Sequence, residues 1–177
     1  AKQMPSIKLS NFVFENQGEL SFENATEKWG MNIPSLSNGA AYGDLDLDGD
    51  LDLVVNNINE PAFIYENLTT SQGGGNFLNV QLKGNRLNPT GLGAKVSLYA
   101  SEMYQLAEQS VGRGYQSSVA PGLHFGVDSI NVVDSIIVQW PDGLVSKIQE
   151  ISANQHITLM HSEAKKQIAP SSINNTV

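Results

Sequence analysis

Between Asp44 and Asp52 the chain reads Asp-Leu-Asp-Leu-Asp-Gly-Asp-Leu-Asp, which sets five carboxylates at every second position over nine residues. Gly49 interrupts the run, and the apolar segment Leu53-Val54-Val55 follows at once. In an extended strand alternate side chains share a face, so this spacing would stack like charges beside one another. Two unit charges about 4 Å apart repel by roughly 1 kcal/mol at the dielectric of bulk water, and by more in a drier site. The stretch therefore predicts a loop that gathers its oxygens around a hard divalent cation, with Gly49 supplying the backbone freedom to curl.

An EF-hand also opens Asp-x-Asp-x-Asp-Gly, but it needs a bidentate acid at loop position twelve, and that position is Val55. Residues Leu51 to Asn57 are apolar and amide side chains with no helical period, so a strand is expected after the loop. An Asp-x-Asp-x-Asp-Gly-x-x-Asp loop running into a strand resembles the calcium loop of FG-GAP and VCBS repeats in integrin-like β-propellers. The resemblance implies calcium ligation by the side chains of Asp44, Asp46, Asp48 and Asp52, with Asp50 contributing its backbone carbonyl.

A short internal repeat points the same way. Phe12-Val13-Phe14-Glu15-Asn16 returns as Phe63-Ile64-Tyr65-Glu66-Asn67, 51 residues later. Periods of about 40 to 50 residues are usual in propellers and related arrays, whose units need neighbours to bury both faces. The chain is thus expected to be the C-terminal piece of a longer propeller protein, or else to pack this one unit against the domain that follows.

The formal charge is −8, and removing the five loop aspartates would leave −3, so the acidity is local. Outside Lys165-Lys166 there is no run of basic residues, which argues against nucleic acid as a partner. No stretch reaches the roughly 18 apolar residues of a membrane helix. The absence of cysteine removes disulfides and thiolate metal sites.

Thr70-Ser71-Gln72-Gly73-Gly74-Gly75 reads as a flexible joint, placing one unit at residues 1–73 and a second at 74–162, with a flexible tail over 163–177. In the second unit Phe77 to Lys83 alternates apolar and polar residues, and Ala94 to Tyr99 is expected to pair with Met103 to Gln109. The β-branched run Val132 to Trp140, the turn Pro141-Asp142-Gly143 and Val145 to Ile151 predict a further hairpin, and Gln155 to Met160 closes the set. The fold class expected is all-β, with a propeller-blade-like unit followed by an antiparallel β-sandwich or barrel-like domain.

Four motifs occur in order in that second unit: Gly91-Leu92-Gly93-Ala94-Lys95-Val96, Gly112-Arg113-Gly114-Tyr115-Gln116-Ser117-Ser118, Leu123-His124-Phe125-Gly126-Val127, and Val138-Gln139-Trp140-Pro141-Asp142-Gly143. Together they resemble the ASPIC/UnbV domain over about Asn76 to Met160, a module found C-terminal to FG-GAP or VCBS repeats. Val127-Asp128 departs from the Leu-Gly that more often follows His-Phe-Gly in that family.

Signals for catalysis are weak. Gly91-Leu92-Gly93 lacks a third glycine at Val96 and leads into a strand, not the helix a dinucleotide loop requires. His124 with Ser117 or Ser118 and Asp128 could be drawn as a triad, but there is no Gly-x-Ser-x-Gly elbow. His156 and His161 fall on opposite faces of a strand and its exit. The acids Glu102, Glu108, Asp128, Asp134, Asp142 and Glu150 are scattered, and nothing selects two of them for glycosidase work. The aromatics Trp29, Tyr42, Tyr104, Tyr115 and Trp140 are candidates for a sugar platform, with Trp140 assigned to the core.

Together with the acidic loop, the two resemblances imply a non-catalytic, calcium-binding, extracellular or cell-surface module for binding or adhesion, with a protein or glycan as partner. The alternatives are a glycan-binding module and an accessory domain of a hydrolytic enzyme.

Overall fold

The structure is a computed structural model that describes residues 7–166. Its strands are β1 (Phe14–Gly18), β2 (Ser21–Asn24), β3 (Ser37–Gly43), β4 (Asp52–Asn57), β5 (Phe63–Tyr65), β6 (Asn76–Lys83), β7 (Lys95–Ala100), β8 (Met103–Glu108), β9 (Leu123–Asp128), β10 (Val132–Gln139), β11 (Leu144–Ser152), β12 (Gln155–Met160) and β13 (Lys165–Lys166). The helical element among the described residues is one 3-10 turn, His161–Glu163. No helix there is long and apolar enough to cross a membrane.

The strands form four sheets, ordered β1-β2, β3-β4-β5, β12-β6-β9 and β13-β11-β10-β7-β8. The last two face each other across the main core. Period-two alternation explains which residues line it: Leu78, Val80 and Leu82 of β6 point inward with Leu123, Phe125 and Val127 of β9. Opposite them lie Val96 and Leu98 of β7, Val133, Ile136 and Val138 of β10, and Ile151 of β11. Trp140 sits in the same core at 2 % exposure, its Nε1 donating to Ser146 Oγ at 2.9 Å, so the one polar atom of the ring is satisfied. None of the sheets closes on itself, so the β-domain is sandwich-like and not a barrel.

The expected hairpins form. β7 and β8 pair from Lys95↔Glu108 to Ala100↔Met103, and β10 and β11 pair across Pro141-Asp142-Gly143, where Gly143 takes φ +84° and donates to the Trp140 carbonyl. The all-antiparallel expectation needs correcting at β12, which runs parallel to β6 from Gln155↔Leu78 to Met160↔Lys83. The cause is the bend at Ala153-Asn154. Asn154 adopts φ +57°, donates its N–H to Phe77 O and accepts Phe77 N–H through Oδ1, which carries the chain from the β11 sheet to the facing one.

Two further expectations change. Residues 70–75 are not a loose joint but hydrogen-bonded turns, with Gln72 N–H on Leu68 O, Gly73 N–H on Thr70 O and Gly74 N–H on Thr69 O. Glycine is needed there for close approach: a Cβ on Gly74 would meet Thr69 O at 2.8 Å, and one on Gly75 would meet the Asp128 Cα at 3.2 Å. The first residues of the expected tail, 163–166, are also placed. Glu163 ends the 3-10 turn and Lys165–Lys166 pairs with β11, while 167–177 lie outside the described residues.

In the N-terminal unit the two copies of the repeated segment share a local turn but pack their rings differently, stacked at 23° in the first and edge-on at 70° in the second. Phe12 and Phe14 bring their ring centroids to 6.5 Å, and Phe63 and Tyr65 to 5.9 Å. Asn16 Oδ1 accepts Gly18 N–H and Asn67 Oδ1 accepts Thr69 N–H, the same local turn at both copies. This unit adds little to the core. Its buried apolar side chains are Ala25 and Val55, while Phe12, Phe14, Phe22, Trp29 and Ile64 stay exposed, so its apolar face is not laid against the β-domain.

Candidate metal centre

The acidic run folds as expected, a loop up to Leu51 with strand β4 starting at Asp52. Leu47 at φ +64° and Gly49 at φ +101° turn the backbone back on itself. Asp44, Asp46 and Asp48 thereby place one carboxylate oxygen each within 4.8 Å of the others. Backbone amides hold all three in position: Gly49 N–H donates to Asp44 Oδ2 at 3.2 Å, Asp48 N–H to Asp46 Oδ1 at 3.4 Å, and Asp50 N–H to Asp48 Oδ1 at 3.0 Å.

Asp50 and Asp52 stand apart from this trio. Asp50 is buried, and its Oδ2 accepts Thr70 N–H at 2.9 Å. Asp52, also buried, accepts Leu45 N–H on Oδ2 and Asn67 N–H on Oδ1, both at 2.9 Å. It ties the loop entrance to the segment after β5. The structure therefore gathers three of the four carboxylates expected as ligands, gives the fourth, Asp52, two backbone partners, and engages the side chain of Asp50, whose expected ligand atom is its carbonyl, with Thr70.

Two buried oxygens bear on whether a cation fits. Asp44 Oδ1 and Asp50 Oδ1 are shielded from solvent with no hydrogen-bond partner among the described residues. A buried carboxylate oxygen without a donor is costly, and native structures rarely leave one unexplained. The donor set is all oxygen, which suits a hard cation such as Ca²⁺. The clustered carboxylates of Asp44, Asp46 and Asp48 fit such an ion.

The loop is seated on the β-domain. A Cβ on Gly49 would overlap the Phe77 ring of β6, so the loop lies directly on that side chain. Phe77 is stacked on His124 at 5.9 Å between centroids and meets the edge of His156 at 6.0 Å. Burial holds the His124 imidazole below its ordinary value of 6.5, against the pull of Asp44 and Asp50, while His156 adds to the lowering. A second contact joins the units. Arg113 Nε donates to Tyr42 Oη at 2.6 Å, and Ala40 N–H donates to Ser117 Oγ at 3.1 Å.

The residues of the drawn triad serve separate ends. His124 Nδ1 pairs with Asn79 Oδ1 at 2.9 Å, and Ser117 Oγ is engaged by Ala40 and the Tyr115 carbonyl. His156 packs on Phe77, whereas His161 packs on Trp140 and bonds Asp142 Oδ2 at 2.7 Å. Sequence reasoning missed Phe77 as the seat of the loop and Asn67 as the partner of Asp52. Asn67 carried a signal, since it ends the repeated segment, but nothing along the chain marks Phe77 as a neighbour of Gly49.

Comparison with curated proteins finds no match to this chain. The family model described as ASPIC and UnbV matches residues 84–166. The match begins after β6, although Leu78, Val80 and Leu82 of that strand belong to the same core. The C-terminal half of this chain, from Gly84 through β13, is thus similar to the ASPIC and UnbV family, in agreement with the four motifs read from its sequence.

Proposed function

We propose that this chain is a non-catalytic, calcium-binding accessory module of a larger extracellular or cell-surface protein, used in binding or adhesion. In this reading one FG-GAP/VCBS-like repeat is joined to the ASPIC/UnbV-like β-domain. Asp44, Asp46 and Asp48 hold the ion through their side chains and Asp50 through its carbonyl, while Asp52 braces the loop. The bound ion would cancel the mutual repulsion of the carboxylates and fix the entry into β4.

The observation that carries this reading is the partnerless, buried Asp44 Oδ1 beside the oxygens of Asp46 and Asp48. A match of residues 84–166 to a family found as a part of larger proteins supports the accessory role.

Calorimetric titration with Ca²⁺ and thermal melts in Ca²⁺ and in chelator test it. At calcium one hundredfold above its dissociation constant the stabilisation is about 2.7 kcal/mol. For a chain of this size that raises the melting temperature by about 5–10 °C. No binding heat and identical melts would remove the calcium reading.

A further inference from the structure

The loop that carries Arg113 to Ser117 leaves the β-domain and lies against β3 of the N-terminal unit, and a groove of about 250 Å³ opens where they meet. Small residues make the approach possible. A Cβ on Gly39 would sit 2.8 Å from Ser117 Oγ and 3.2 Å from the Tyr115 carbonyl. The β3–β4 register shifts between Ser37 and Gly39, so Asn38 stands out of the regular ladder at the groove's edge.

The chemistry of the walls is selective. Asn38, Asn56, Gln116, Ser117 and Tyr115 supply the polar and aromatic surface, and among the described residues no charged side chain lines the groove. Asn56 Nδ2 donates to Asn38 Oδ1 at 2.7 Å, so the paired amides keep the Asn38 NH₂ and the Asn56 carbonyl oxygen for a ligand. A donor beside an acceptor matches two neighbouring hydroxyls. Tyr115, 67 % exposed, borders this groove and the apolar depression that continues it towards Phe12 and Leu53, so its ring can take the C–H face of a pyranose while the amides take hydroxyls. Gln116 is held at φ +45°, a conformation unusual for a side-chain-bearing residue and often found where a binding group is presented.

We infer that this inter-unit groove is a binding site for an uncharged oligosaccharide, with Tyr115 as the stacking residue and the Asn38–Asn56 pair as the hydroxyl-binding group. A peptide is the poorer match, because the backbone N–H of Ala40 on the facing strand is already taken by Ser117 and the walls offer no charge to read side chains. The site is separate from the aspartate loop and does not depend on calcium being its ion.

The test is a multivalent glycan array carrying neutral, sialylated and sulfated oligosaccharides, probed with the whole chain, followed by calorimetric titration with the best neutral glycan. Retention of neutral glycans is expected, with Tyr115→Ala and Asn56→Leu each weakening binding at least tenfold. Phe22→Ala, at an exposed aromatic away from the groove, should bind as the parent chain does. Circular dichroism melts of the variants separate loss of the site from loss of the fold. Retention of charged glycans alone, retention of none, a response to unmodified peptides in place of glycans, or folded Tyr115→Ala and Asn56→Leu proteins that bind unchanged would each overturn the inference.

Discussion

Asp46 and Asp52 differ by six positions in the same acidic run, yet they answer to different physics. Asp46 is exposed within the carboxylate trio, so Asp46→Asn should raise the melt in chelator slightly, by relieving repulsion from Asp44 and Asp48, and abolish the rise brought by Ca²⁺. Asp52→Ala instead removes the acceptor of two part-buried amides, those of Leu45 and Asn67, and its melt should fall even in chelator, by an amount equivalent to about 1–2 kcal/mol. Paired thermal melts with and without Ca²⁺ read both outcomes. His124 sets a pH dependence of its own. Burial depresses its pKa in the fold, so between 6.5 and the lower folded value the unfolded chain binds the proton that the native chain refuses. Stability is therefore full above 6.5 and declines as pH falls through that window. Denaturant titrations at several pH values should show this slope, and His124→Gln should flatten it.

At the level of elements, the loop and β6 act as one piece because Gly49 lies on the Phe77 ring. Gly49→Ala forces a methyl into that ring from a backbone at φ +101°, and chemical denaturation should report a loss of about 1–3 kcal/mol. Phe77→Ala should relieve the overlap, so the double variant would lose less than the sum of the two single ones. This contact also marks where sequence reading runs out. The hairpins β7–β8 and β10–β11 were legible because alternation and a Pro-Asp-Gly turn are local signals, and the aspartate loop was legible because repulsion between near neighbours is local too. Parallel pairing of β12 with β6 was not, since it joins residues 77 apart, Gln155 to Leu78, through a bend that has no proline or glycine to announce it. The glycines at 73–75 misled for the opposite reason: they signal freedom, but Gly74 and Gly75 are spent on close packing against Thr69 and Asp128.

For the whole molecule, the uneven distribution of core predicts uneven stability. The buried apolar cluster runs from Leu78 to Leu159, while the buried apolar side chains described in the N-terminal unit, Ala25 and Val55, stand outside it. Hydrogen exchange followed by mass spectrometry should show the slowest amides in β6, β7, β9 and β10, with β1, β2 and β5 exchanging orders of magnitude sooner. Calcium should slow exchange chiefly in residues 44–57, which would separate loop ordering from global stabilisation. The parallel pair has a mechanical consequence. The chain enters the β-domain at the start of β6 and leaves β12 at its end, with the two strands side by side and pointing the same way. Tension drawn through the chain first lifts off the two-residue β13, then pulls β6 and β12 along their length in opposite senses. The bonds between them are loaded together in shear instead of opening one after another like a zip.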